Sequence, residues 1–481
     1  MSRQTLLGLC AAIAVATAAA AAPPLTPGPT DGPFARVFQP EAAPRPGEDA
    51  GFPDQWRAIY GGGRHDAAYG TEVSGPGYSW RYAEARAWPL TEPAFDSGFV
   101  GVKSAETTAA QWLGNAVGVS AAKGVIYAAS SDQFIYALNA KTGRLIWRTS
   151  PIGSTFMGQP LVDGRLVFVN AGTVGFNYSN VQAFAKSGAA VRGAGVAYNG
   201  IYALDRQDGA LVWRYGTAGD AMPTPVIVGE RLVFSTGAGQ VVALAKTTGV
   251  KLWETTVGGM GNMSSPAEEG GRIFVGMASP AFLFALDEGT GRAVWKAAIP
   301  KSANTGMGDV SPAVADGVVV TDAVSDAQTA NGKTTMDVTV AAFAAQTGRT
   351  LWTHRMGRGP KPPSYKGGVP MIHDGVVYVG SPVRSEYQAL DLKTGRLIWT
   401  WSVPNPSEAG SARGPATYVS GRLYIATGPS IYVVDAKDGK LISQKTIGGR
   451  FGISGPTIVG STLYLGNDWD WVIAIPLAAL N

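Results

Sequence analysis

Cysteine, histidine and charged side chains are all scarce in this sequence, and each scarcity excludes a class of chemistry. The 481 residues include one cysteine, Cys10, and three histidines. Cys10 lies in a segment with the features of a cleaved signal peptide, so the mature chain is predicted to lack disulfides, CxxCH haem attachment and thiolate chemistry. No HExxH, GxSxG, P-loop or EF-hand spacing occurs, and we predict no bound metal.

The charge is low and nearly balanced. Charged residues make up 15% of the chain, the formal net charge is +4, and no run of Lys or Arg stands out. A nucleic acid is therefore not an expected partner. A hydrophobic fraction of 45% argues against disorder, whereas 64 glycines and 31 prolines suit many short strands joined by tight turns.

The N-terminus holds the one notable apolar run. The stretch "MSRQTLLGLCAAIAVATAAAAAPP" combines Arg3, a short apolar core and small residues. We interpret residues 1–22 as a secretory signal peptide, because the alternative of a membrane anchor needs a longer apolar span. The prediction is export to a periplasm or beyond, with peripheral association with an outer membrane as a further option. Residues 23–75, rich in Pro, Gly and Ala, are predicted to form an irregular lead-in.

From residue 76 onwards one phrase recurs, of the form ALDxxTGxxxW. It ends in turn at Trp147, Trp213, Trp253, Trp295, Trp352 and Trp399, and "YVVDAKDGKLIS" carries Ser443 in the Trp place. Each unit divides into an apolar run after a Pro, a second and a third strand after Gly-containing turns, and a fourth strand that begins after the T-G or D-G turn. Four short antiparallel strands in about 40–45 residues are typical of a β-propeller blade.

The half units at the two ends predict a closed ring. A strand at Trp80 has no strand before it, and residues 456–476 have no Trp strand after them. Pairing the two completes one more blade and leaves no open edge. The sequence therefore predicts an all-β, eight-bladed propeller over residues 76–481, with the Trp side chains packed between blades. Residues 171–199 and 322–338 are predicted to be inserted loops.

The first strand of each blade is expected to line the central channel, so the residues before each Pro ring one mouth. Three residues before the Pro, the copies read Met157, Met222, Met263, Asp309, Gly367, Ala412 and Ile453, with one acid among them. The cations near this ring are Lys366, Arg413 and Arg450, and uncharged polar residues include Asn262 and Ser311. One carboxylate against three cations predicts a funnel that attracts anions, and Met side chains add a polarisable wall. The alternatives are that Asp309 caps a turn, that Arg413 and Arg450 form salt bridges between blades, and that the methionines only pack.

The repeat resembles the tryptophan-docking motif of the pyrroloquinoline-quinone (PQQ) type propeller superfamily, which includes quinone-dependent dehydrogenases, an outer-membrane assembly scaffold and hydrolases. The dehydrogenases usually hold PQQ under a Cys–Cys disulfide and bind calcium through carboxylates, whereas the mature chain is predicted to have no cysteine and only one acid lies on the predicted ring. The scaffold is a shorter lipoprotein, whereas "LGLC" has Leu where a lipobox needs a small residue. In length, signal peptide and repeat type, the chain most resembles the tetrathionate hydrolases.

That resemblance implies a secreted, homodimeric hydrolase of a small sulfur-containing dianion, with no cofactor. It implies cleavage of tetrathionate to thiosulfate, sulfur and sulfate, and a catalytic aspartate for which Asp309 is the candidate. Arg413, Arg450 and Lys366 are then predicted to hold the terminal sulfonate groups, with Asn262, Ser311 and Met263 completing the substrate site. A PQQ-dependent dehydrogenase with calcium and a non-catalytic scaffold are the alternatives.

Overall fold

The computed structural model describes residues 62–69, 77–83, 118–129, 135–149, 158–172, 191, 199–261, 264–303, 306–362, 367–404, 406, 412–451, 453, 455–467 and 471–480. The predicted signal peptide and most of the lead-in lie outside these residues. No helix in the described ranges is both long enough and apolar enough to cross a membrane.

The described chain is built from short strands. They are β1 (Ala68–Tyr69), β2 (Trp80–Ala83), β3 (Val119–Ala122), β4 (Val125–Ala129), β5 (Ile135–Asn139), β6 (Leu145–Arg148), β7 (Leu161–Asp163), β8 (Leu166–Ala171), β9 (Gly200–Asp205), β10 (Leu211–Gly216), β11 (Val226–Val228), β12 (Arg231–Ser235), β13 (Gln240–Ala245), β14 (Lys251–Thr256), β15 (Ala267–Glu269), β16 (Arg272–Met277), β17 (Phe282–Asp287), β18 (Ala293–Ala297), β19 (Ala313–Ala315), β20 (Val318–Ala330), β21 (Lys333–Ala344), β22 (Thr350–Pro360), β23 (Met371–His373), β24 (Val376–Ser381), β25 (Glu386–Asp391), β26 (Leu397–Ser402), β27 (Thr417–Val419), β28 (Arg422–Asp435), β29 (Leu441–Phe451), β30 (Thr457–Val459), β31 (Thr462–Asn467) and β32 (Trp471–Pro476). Two 3-10 helices, Gly306–Asp309 and Leu477–Ala479, complete the described elements.

These strands form eight four-stranded sheets, which are the blades of a propeller, as the sequence predicts. Blades 1 to 6 are β3–β6, β7–β10, β11–β14, β15–β18, β19–β22 and β23–β26; blade 7 contains β27–β29, and blade 8 contains β30–β32. β2 joins blade 8 by antiparallel pairing with β32, with Trp80 opposite Ala474. β1 joins blade 7 by parallel pairing with β27. The first strands of neighbouring blades contact one another around the axis.

Tryptophans join neighbouring blades, which confirms the role predicted for them. Trp147 donates its indole N–H to the Arg206 carbonyl of the next blade at 3.0 Å. Its ring also fills the space that a side chain would need at Gly209, where φ is 74°. The same N–H to carbonyl bond recurs from Trp213, Trp253, Trp295, Trp352 and Trp399 to the following blade. Ser443, in the Trp place of blade 7, donates its hydroxyl to the Leu480 carbonyl.

The prediction of a loop at residues 322–338 is wrong. These residues belong to β20 and β21, which pair out to Ala330 and Lys333, and β22 extends alongside to Pro360. Alternating polar and apolar residues there satisfy the strand period, and the apolar side, with Val324 and Met336, is buried. Most of the other predicted loop, 171–199, lies outside the described residues.

Part of the lead-in enters the central channel. We call Gly62–Tyr69 the axial segment. Its Gly63 and Arg64 carbonyls accept hydrogen bonds from the amides of Glu268 in β15 and Val314 in β19, at 2.8 and 3.1 Å. Farther along, the Tyr418 amide in β27 donates to the Ala67 carbonyl at 2.9 Å. The segment therefore bonds to the innermost strands of three different blades.

Candidate active site

Hydroxyl groups connect the first strands of successive blades at one mouth of the channel. The residue before each Pro donates its amide to a hydroxyl of the next blade: Gln159 to Thr224 at 2.8 Å, Thr224 to Ser265 at 3.1 Å, and Ser265 to Ser311 at 2.9 Å. All four side chains are buried. At blade 6 the equivalent residue is Val369, which has no hydroxyl and whose amide donates to the Arg413 carbonyl instead. The belt therefore changes character between blades 5 and 6.

A carboxylate is buried where the belt changes. Asp322 lies in β20, two residues beyond Val320, which pairs with Ala313 of β19. Continuing that register places Asp322 opposite Ser311, at the mouth end of the channel. The side chain has no exposed surface, and neither carboxylate oxygen makes a hydrogen bond of standard geometry to the described residues, although the Gly368 amide lies close enough to interact with it. Buried polar groups are nearly always bonded, so an acid without such bonds points to function.

Glycine on the facing loop makes room for this acid. A Cβ added at Gly367 would lie 1.8 Å from Oδ1 of Asp322. Any residue other than glycine would therefore displace the carboxyl group, since real Cβ contacts never approach so closely. Gly367 comes just before the first strand of blade 6, so the acid lies at the interface of blades 5 and 6.

The electrostatics favour a neutral acid beside a cation. Burial raises the pKa of Asp322 well above its usual value, although the Gly368 amide and the Arg413 guanidinium lower it. Arg413 is itself only 7% exposed. A neutral carboxylic acid can donate a proton without repelling an anion that the guanidinium attracts. The pair can thus bind an anion and supply a proton.

The structure places the predicted site residues unevenly. The Arg413 guanidinium lies close enough to Asp322 to lower its pKa. Ser311 lies opposite Asp322, and its hydroxyl belongs to the blade-to-blade belt. Asp309 ends the 3-10 helix Gly306–Asp309, which packs against β16, β17 and β20, and Arg450 is the penultimate residue of β29. The side chains of these two residues lie outside the described part, as do Lys366, Asn262 and Met263 entirely. Their roles stay predictions.

Sequence reasoning missed Asp322, although a signal was available. We call its place in the second strand of each blade the slot position. In chain order the slot residues are Ala129, Asn170, Ser235, Gly276, Asp322, Gly380, Ala426 and Gly466. Seven are small or amide side chains, and only blade 5 carries an acid there. The residues before each Pro lie on the side of the first strand and do not include this position.

No group of three or more His, Cys, Asp or Glu side chains in the described residues is arranged to hold a metal ion. His373 is partly buried and stacks on Tyr418 with ring centroids 3.9 Å apart. Asp468 and Asp470, the other acids near the C-terminus, lie outside the described residues.

Comparison with known proteins agrees with the architecture. The model of the family described as outer membrane protein assembly factor BamB matches residues 80–268 and 258–479. A tetrathionate hydrolase from Acidithiobacillus ferrooxidans is 48% identical over 99% of this chain and 96% of its own length. A tetrathionate hydrolase from Acidianus ambivalens is 33% identical over 89% of this chain and 85% of its own. Among solved structures, a quinohaemoprotein alcohol dehydrogenase from Pseudomonas putida superposes with a TM-score of 0.58 at 12% identity, covering 89% of this chain and 81% of that one, which supports the fold alone.

Proposed function

The chain belongs to the tetrathionate hydrolase family, and we propose that it hydrolyses tetrathionate at the mouth of the channel beside Asp322 and Arg413. The observation that carries the site assignment is the fully buried carboxyl group of Asp322, which lies beside Arg413 and makes no hydrogen bond of standard geometry to the described residues. Burying a carboxyl group in this way costs stability, as is typical of a functional group whose hydrogen-bond partner is the bound substrate.

The reaction needs charge and protons but no net electron transfer. Tetrathionate and one water give thiosulfate, sulfur, sulfate and two protons, so sulfur is redistributed within the substrate and the equation balances without an external oxidant. Arg413 attracts the dianion, and the neutral Asp322 carboxyl group does not oppose it. We assign to Asp322 the donation of a proton to the departing sulfur, because its raised pKa keeps it protonated in acid.

The sequence-based roles extend this site. We propose that Asp309 takes the proton of the attacking water, so that two acids divide base and acid work. Lys366 and Arg450, with Arg413, would neutralise the terminal sulfonates, while Asn262, Ser311 and Met263 would contact the chain between them. The backbone of Asp309 supports this, since its 3-10 helix packs against β20, which carries Asp322.

The decisive test compares carboxyl-to-amide changes at the two acids. Asp322→Asn and Asp309→Asn should each lower kcat for tetrathionate by about 10²- to 10⁴-fold, the usual contribution of a positioned acid or base. Asp374→Asn is the matched control, since Asp374 is an exposed turn residue with φ 46°, a backbone conformation that Asn adopts as readily as Asp. Full activity of Asp322→Asn would refute its assignment, and full activity of Asp309→Asn would refute that of Asp309.

We propose further that no quinone takes part. Protein purified without added PQQ or calcium should hydrolyse tetrathionate at the same rate after either is supplied or calcium is chelated. Quinone-dependent dye reduction with alcohols, in place of tetrathionate loss, would instead favour the dehydrogenase alternative. Binding to an outer-membrane assembly complex without any turnover would favour the scaffold.

Export and assembly complete the proposal. The chain is taken to lose residues 1–22, to act in the periplasm or beyond, in peripheral contact with the outer membrane, and to form a homodimer. The mass of the secreted protein and its sedimentation coefficient test the first and last points; an intact N-terminus or a monomer would contradict them.

A further inference from the structure

The axial segment occupies positions that the propeller repeat leaves unsatisfied. Glu268, Val314 and Tyr418 are equivalent residues, each the middle one of a three-residue first strand. At the inner edge of a blade, the amide of this residue faces the axis and has no neighbouring strand to bond. The carbonyls of Gly63, Arg64 and Ala67 accept these three hydrogen bonds at 2.8, 3.1 and 2.9 Å.

His65 makes a further hydrogen bond between the axial segment and blade 5, closer to the mouth than the three backbone bonds. Its Nδ1–H donates to the Pro312 carbonyl at 2.7 Å, and the side chain is 1% exposed. Pro312 follows Ser311, which lies opposite Asp322. The backbone turns sharply at this point, since φ is 58° at His65 and 30° at Ala67. The hydrogen bond to Pro312 therefore places this turn beside the start of β19, next to Ser311.

The charges around the segment are opposite in sign to those predicted at the mouth. Glu268 and Glu269 lie on β15, and Asp66 lies in the segment itself, with Arg64 3.9 Å from Glu269. Enclosure raises the pKa of Asp66 and of Glu268, although Arg64 opposes both shifts and His373 opposes that of Asp66. These acids repel an anion only in their ionised forms, so the electrostatic barrier to an anion strengthens as pH rises.

We propose that Gly62–Tyr69 is an axial plug that closes the channel beneath the anion site, with His65 as the positioning residue that fixes it to β19. The channel then has one mouth, through which the dianion enters and both product anions leave. The plug is a structural claim about the channel; its effect on turnover rests on the proposed function.

The plug can be followed with a thiol reporter, because the only native cysteine lies in the predicted signal peptide. Ala67→Cys places a thiol at a buried position of the segment, Ala243→Cys places one in the core of blade 3, and Lys333→Cys places one on the exposed β20–β21 turn. The labelling reagent is a neutral maleimide, without tetrathionate, since thiolates attack S–S bonds. In natively folded protein without residues 1–22, and so without Cys10, position 67 should react about 100-fold or more slowly than position 333, because buried groups react only after opening.

Two changes at His65 separate anchoring from folding. His65→Gly removes the donor without opposing the positive φ, and His65→Asn keeps a donor near Nδ1 and tolerates that backbone. His65→Gly should raise labelling at position 67 by roughly tenfold, with position 243 unchanged, and His65→Asn should stay close to the native rate. Fast labelling at position 67 in the unaltered background, or equal rises at 67 and 243, would overturn the plug.

The kinetic readout addresses the single mouth. His65→Gly should raise KM for tetrathionate by roughly fivefold and leave kcat within about twofold. The change weakens the attachment of the plug beneath the anion site and does not alter the reacting groups. His65→Asn should restore KM. An unchanged KM in a variant whose plug is released would overturn the claim that the plug bounds the anion site. Failure of the proposed function would appear as absent turnover in unaltered protein and would leave the labelling result intact.

Discussion

Blades 4 and 5 carry different residues at the same slot position, and the difference shows how a repeat acquires a reactive group. In blade 4 the slot residue is Gly276, and an added Cβ would lie 2.0 Å from the Met307 carbonyl of the facing 3-10 helix. In blade 5 the slot residue is Asp322, and glycine has moved to the facing loop, at Gly367. In blade 4 a backbone carbonyl occupies the space beside the slot, whereas in blade 5 the absence of a side chain at Gly367 leaves room for the acid.

The exchange of side chains across the slot is the strongest test of this comparison. Gly367→Ala should lower kcat by about 100-fold, since a displacement near one ångström at a reacting group has that effect. Overpacking should also destabilise the protein by about 1–3 kcal/mol. The double variant Gly367→Ala with Asp322→Gly recreates the blade 4 arrangement and should recover stability but not activity. Equal instability in the single and double variants, measured by denaturant unfolding, would mean that the two residues do not compete for space.

Blade 4 offers the matching change. Gly276→Ala should destabilise the protein by about 1–3 kcal/mol, because the Cβ meets a backbone carbonyl that cannot rotate away. Its effect on kcat should be much smaller than that of Gly367→Ala, since no acid occupies this slot. Thermal unfolding and tetrathionate assays of the two variants side by side check the contrast, and a larger activity loss at Gly276 would reverse it.

Asp322 should also make stability depend on pH. Its pKa is raised in the folded state above the ordinary value of 3.8, so its contribution is fully present below that value and is lost as pH rises through the folded-state pKa. Unfolding free energy should therefore fall with rising pH, and Asp322→Asn should flatten that part of the profile, by about 1–3 kcal/mol if the buried group stays unpartnered. A profile unchanged by Asp322→Asn would show that the carboxyl group is not buried in solution.

The hydroxyl belt gives the smallest expected effect. Ser265→Ala removes the acceptor of the Thr224 amide and should cost about 1–2 kcal/mol, because a buried donor is left without a partner. Val369→Ser, at the equivalent place in blade 6, removes no hydroxyl acceptor from the belt and should change stability less than Ser265→Ala. Denaturant midpoints of the two variants decide, and similar losses would mean that the belt does not stabilise the ring.

Local regularity made the outer parts of the fold predictable. The pairing of a Trp with a Gly of the next blade, as in Trp213 and Gly249, recurs at regular spacing, because each blade packs on the next in the same way. The extended hairpin of β20 and β21 was harder to predict, because its polar and charged residues resemble those of a loop. Only the paired strands bring Asp326 to its ion-pair partners Lys301, Arg355 and Arg358. Position relative to Pro pointed to Arg413, which lies near Asp322, and to Asp309, whose role stays a prediction, but it passed over Asp322.

The sequence by itself determined the repeat and its eightfold count, because these depend on spacing and residue type along the chain. Only the tertiary structure decided that Asp322 is buried between blades 5 and 6 and that residues 62–69 fill the axis. Both depend on contacts between segments far apart in sequence: Gly367 makes room for Asp322, and β15, β19 and β27 offer amides to one short segment. A local pattern carries no record of which distant neighbour leaves space or a free donor.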